Sequence, residues 1–108
     1  MKGTHLGEFE ELVLLTVGIL GTEAYGIALK DDLQQRTGRR PSIGALHSAL
    51  TRLENKGFVK SEMEGATEDR RGRRKRFYQL TSSGTSIIKE IYDQRTEMIK
   101  LIPNIAIQ

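Results

Sequence analysis

At 108 residues the chain has room for one domain with a core, but not for a second module. Its 37% apolar and 29% charged residues exclude a disordered chain, and the absence of cysteine excludes disulfides, thiolate metal sites and a thiol nucleophile. The formal net charge is only +3, and the run Arg70, Arg71, Arg73, Arg74, Lys75 and Arg76 more than accounts for it, so the positive charge is local.

The N-terminus carries one lysine and no apolar run, which argues against a signal peptide. The longest apolar stretch, Leu12 to Leu20, is broken by Thr16 and Gly18 and is too short for a bilayer, so a cytoplasmic protein without a membrane partner is expected. From Gly7 to Leu20 the acidic start suits a helix N-terminus, and the apolar residues, Phe9 and Leu12 among them, cover more than one stripe. Such a helix is expected to face both the core and a partner subunit. A second helix repeats Tyr25, Leu29 and Leu33 at a spacing of four and stops at Gly38.

A third helix follows Pro41, with Ser42 as its N-cap and Gly57 closing it. Ile43, Leu46, Leu50 and Leu53 define an inward face; Gly44, His47, Ser48, Thr51 and Arg52 lie opposite. Next, "FVKSEME" and "RKRFYQL" read as two strands of a hairpin whose long tip carries the basic run. Thr81 is the expected cap of a last helix in which Ile88, Ile91, Arg95, Met98 and Ile102 recur by threes and fours, the spacing of a coiled-coil seam, with Tyr92 and Ile99 widening it. Pro103 is expected to end it.

Three helices, a hairpin and a final helix give a mainly α fold with a small β-hairpin (α+β), a winged helix-turn-helix over residues 1–80 with a long C-terminal dimerisation helix and tail over 81–108. In that arrangement the third helix enters the major groove and the hairpin tip, the wing, lies along the backbone. The outward face of the third helix supplies hydrogen-bonding groups, while Arg39 and Arg40, just before it, and the wing cations meet phosphates. The alternative for the basic run is a solvated hairpin tip, and for the seam, packing back on the domain's own core.

Three segments carry a family resemblance: Tyr25–Gly26, the pattern S-x-G-x-L-x-x-A-L-x-R-L-E-x-x-G from Ser42 to Gly57, and R-x-Y-x-L-T-x-x-G from Arg76 to Gly84. Together, over roughly residues 7–100, they resemble the PadR family of bacterial transcriptional regulators, in its short-chain form. The resemblance implies a homodimeric, mostly repressing protein that binds double-stranded operator DNA and pairs through its C-terminal helix. On this chain it points to Ser42, Gly44, Ala45, His47 and Ser48 at bases or adjacent phosphates, with Thr51 beside them and Arg52 on the backbone; the alternatives are that Thr51 faces solvent and that Arg52 pairs with an acidic neighbour instead of DNA. It places Phe9, Leu12, Ile88, Ile91, Tyr92, Arg95, Met98, Ile99 and Ile102 between subunits, where some relatives hold small ligands. Many members have Tyr-Pro where this chain has His47 and Ser48, and Thr at Ala45, so its operator preference need not follow theirs.

An enzyme is not expected. There is no nucleophile elbow or phosphate-cradling glycine loop, and His5 and His47 are too far apart in sequence for a metal-binding pair, so neither a metal nor another cofactor is expected. The main alternative function is a winged-helix module for protein–protein contact whose basic wing docks on an acidic partner. RNA binding is less favoured, because exposed aromatic residues for stacking are lacking.

Overall fold

A computed structural model of the chain describes residues 5–64 and 75–105. Among them the order is α1 (Glu8–Leu20), a 3-10 turn (Gly21–Glu23), α2 (Gly26–Thr37), α3 (Ile43–Asn55), β1 (Val59–Met63), β2 (Arg76–Leu80) and α4 (Ser82–Lys100). Arg70, Arg71, Arg73 and Arg74 lie outside the described residues. No helix among the described residues is long and apolar enough to cross a membrane.

The core forms where the apolar stripes of α1, α2 and α3 meet. Val13, Leu14 and Val17 of α1, Leu29 and Leu33 of α2, and Leu46, Ala49, Leu50 and Leu53 of α3 are all buried. Each set recurs at threes and fours, the signature of one helical face turned inward. Ile43, expected on the inward face of α3, is instead 42% exposed. It sits one residue after the Ser42 cap, at the rim of the core and across from Gly26 of α2.

Glycines end the helices where the backbone must turn. Gly38 after α2 and Gly57 after α3 have φ of 77° and 83°, a region that side chains disfavour. Strands β1 and β2 then pair antiparallel, with Val59 opposite Leu80 and Met63 opposite Arg76. Tyr25 forms an isolated bridge to Phe77, and the Tyr78 N–H donates to the Ala24 carbonyl, so the chain before α2 extends the hairpin by a third short edge.

The entry to α4 is tightly built. The Thr81 hydroxyl accepts the Gly84 N–H at 3.0 Å and donates to the Gly57 carbonyl at 2.6 Å, capping the helix and fastening it to the end of α3. A Cβ on Gly84 would lie 2.1 Å from the Phe58 carbonyl oxygen, so only glycine fits. Beyond this point α4 runs outward and stops at Lys100, three residues before Pro103. The radius of gyration is 15.9 Å, against about 13 Å for a compact chain of this length.

Candidate nucleic-acid interface

Helix α3 turns its leucines inward, and its other face is therefore free. The Ser42 hydroxyl accepts the Ala45 N–H at 3.0 Å and sets the first turn. Gly44, Ala45, His47, Ser48, Thr51 and Arg52 are all exposed on the outward side. A side chain at Gly44 would meet nothing nearer than the Ser42 hydroxyl at 4.0 Å, so the space in front of this turn is open. Small residues there let another surface approach the helix backbone closely.

Cations flank this face, and most of those described have partners. Arg39 pairs with Glu8 at 2.6 Å, while Arg40 is exposed. On the hairpin, the Lys75 ammonium lies 4.0 Å from the centre of the Tyr25 ring, which in turn meets Phe77 edge-on. Arg76 donates to the Ser61 hydroxyl, which donates to Glu54 at the end of α3, tying the base of the wing to that helix.

Arg52 is engaged differently. Its Nε donates to Glu10 Oε2 at 2.5 Å, and Lys56 Nζ donates to Glu10 Oε1 at 2.8 Å. The Gly7 N–H adds a third bond to the same carboxylate at 3.2 Å. Burial pushes the Glu10 carboxyl up, but the hydrogen bonds from Lys56, Arg52 and Gly7 more than offset this and hold it at about 2. A buried carboxylate of α1 thus anchors α3.

The C-terminal helix supplies the second surface. Ile88, Ile91 and Ile99 are half-buried, and with Leu14, Leu15 and Tyr92 they line a groove of about 290 Å³ between α1 and α4. Tyr92 and Met98 are 68% and 62% exposed, and Ile102 is exposed as well. Arg95 reaches Glu11 of α1 at 3.2 Å across this groove. Phe9 and Leu12 are half-buried against the core and are not part of its lining.

The model of the transcriptional regulator PadR-like family matches residues 14–90, from the middle of α1 to the middle of α4. The chain belongs to this family. Among solved structures it is similar to a PadR family transcription regulator from Clostridium difficile R20291, with 28% identity, 87% of this chain and 92% of that one covered, and a TM-score of 0.67. It is also similar to the hsRosR protein of the hsRosR-S1 complex structure, with 27% identity, 96% and 83% covered, and a TM-score of 0.66. A PadR-like transcription factor from Bacteroides fragilis, 23% identical over 91% and 89% of the two chains, shares the fold with a TM-score of 0.74. No curated protein sequence matches the chain.

In this PadR-like chain the sequence-derived site residues fall into two groups that the fold keeps apart. Those of α3 gather on one open face; of the C-terminal set, Ile88, Ile91, Tyr92, Arg95 and Ile99 gather beside α1, and Met98 and Ile102 do not. Glu10, Lys56, Leu15 and Thr96 join these two clusters without being expected there from the sequence. Glu10 had a visible signal, since it is in phase with buried Val13, Leu14 and Val17 on α1, and a carboxylate at such a position requires a cation. Thr96 had none.

Proposed function

We propose that this PadR-like protein is a sequence-specific, double-stranded DNA-binding transcriptional regulator acting as a homodimeric repressor. The observation that carries the reading is the outward face of α3, where small and hydrogen-bonding residues stand exposed beside an open first turn. A helix with that face enters the major groove, where Ser42, Gly44, Ala45, His47 and Ser48 meet base edges or adjacent phosphates. Arg39, Arg40 and the wing cations hold the backbone, and Thr51 and Arg52 lie at the groove's edge. Two chains pair through α4 and the neighbouring face of α1, and such a dimer occupying an operator excludes other proteins from that DNA. The α1–α4 groove, closed by the second chain, is where a small apolar effector would release it.

The test is titration of labelled duplex from upstream of the chain's own gene, against unrelated duplex of equal length, at about 150 mM salt. Selective binding of two chains to an inverted repeat, with half-sites about one helical turn apart, is expected. Equal, weak binding to both duplexes would overturn the reading and leave a basic surface suited to an acidic protein partner.

A further inference from the structure

We propose that Glu10, which makes no contact with DNA itself, is a positioning residue for DNA binding that acts through Arg52. The inference rests on the DNA-binding reading above. Three features of the cluster carry it.

The first is the asymmetry of the two cations. Lys56 is turned inward, donating both to Glu10 and to the His5 carbonyl at 2.7 Å, and its side chain is largely covered. Arg52 is 51% exposed and gives Glu10 only its Nε. A guanidinium holds its five N–H donors in one rigid plane, so holding Nε narrows the directions open to the two terminal amino groups. Among the described residues those amino groups have no partner. Arg52 itself is exposed, one helical turn beyond Ser48 on α3, where the proposed duplex edge runs.

The second is burial. The Glu10 side chain is only 8% exposed, on a helix face shared with buried Val13 and Leu14. It is further held by the Gly7 N–H, so the acceptor that orients Arg52 does not itself wander. A long side chain ordered before binding loses less conformational freedom when it meets a phosphate.

The third is charge. One carboxylate shared by two cations leaves the cluster with net positive charge, so Glu10 orients Arg52 without cancelling its attraction for DNA. An exposed pair such as Arg39–Glu8 has no such arrangement: a single carboxylate faces a single cation.

The experiment is a double-mutant cycle on the full chain, with Glu10→Gln, Arg52→Ala and the double variant titrated against the selected operator duplex. A stoichiometric titration corrects each variant for its folded fraction. Glu10→Gln is expected to weaken binding about fivefold to tenfold in the parent, and by no more than about twofold in the Arg52→Ala background. Removing an acidic residue should by itself tighten binding to a polyanion, so a weakening cannot come from net charge. Equal weakening in both backgrounds would reduce Glu10 to a general stabiliser, and unchanged or tighter binding by Glu10→Gln would make it a bystander or a competitor for Arg52. Each of these overturns the proposal. A parent protein that binds no duplex selectively would overturn the DNA reading first, and this proposal with it.

Discussion

Helices α3 and α4 are both amphipathic, but they complete their apolar stripes in different places. In α3, Leu46, Ala49, Leu50 and Leu53 are buried against α1 and α2, and the polar side is left clear. In α4 only Gly84 and Ile87 are buried, at its beginning, while Tyr92, Met98 and, just past its end, Ile102 are exposed. One helix is finished by its own chain and presents chemistry. The other is anchored at one end and presents unspent apolar surface, the property of a segment that packs on a second molecule.

The largest effect is expected at the junction that joins the two. Because a methyl at Gly84 would overlap the Phe58 carbonyl, a backbone atom with nowhere to go, Gly84→Ala should destabilise the domain by about 3 kcal/mol. Urea unfolding followed by circular dichroism measures it. A loss below about 1 kcal/mol would mean that α4 can shift off Phe58 freely, and that the comparison concerns two loosely joined parts.

Next in size is the outward stripe of α4. Met98→Asp places a charge in the proposed pairing surface while touching nothing in the domain core, since Met98 is exposed within one chain. Light scattering after gel filtration, at about 50 µM protein, should show a shift from two chains to one. The stability of the domain itself should change by no more than about 0.5 kcal/mol. A parent already monomeric at that concentration would remove the second copy from the comparison.

Much of this division was legible in the sequence. The periodic leucines of α3, the Ser42 and Thr81 caps and the turn glycines are local signals, and each reports on its own few residues. Periodicity assigns Ile43 a face but not where the core ends; at the first residue of α3 the core has already run out, and it begins at Leu46. The spacing of the α4 stripe describes one seam, yet Ile88 and Ile91 pack partly against the chain's own core, Ile99 is half-buried beside the α1–α4 groove, and Tyr92, Met98 and Ile102 stay exposed. Which residues of a stripe are spent within the chain depends on a crossing between elements some 80 positions apart, as in the Glu11–Arg95 pair, and no local pattern encodes that crossing. Glu10 lay between these cases: its position announced a partner, but only the fold could select Arg52 and Lys56.

The smallest of the three effects separates the adjacent carboxylates that serve the two helices. Glu11 meets Arg95 of α4 in a longer pair with a half-exposed partner, a contact worth about 0–1 kcal/mol. Glu10 meets α3 from a buried position, and its carboxyl is lowered from an ordinary 4.5 to about 2. A carboxyl with a depressed folded-state pKa contributes stability above its unfolded value and loses it as pH falls through the folded value. Glu10 therefore contributes fully above about pH 4.5, and its contribution drains away between there and about pH 2. Full conversion of that shift would be about 3 kcal/mol, and with Arg52 half-exposed the screened value is about 1–2 kcal/mol. Many carboxylates titrate in the same range, so the informative quantity is the stability of the parent minus that of Glu10→Gln, followed by urea unfolding from neutral to acid pH. That difference should be steady above about pH 5 and shrink steadily below it. A difference that stays constant down to about pH 3 would mean the carboxylate's charge contributes nothing to holding α3, and that the cluster binds through shape and neutral hydrogen bonds alone.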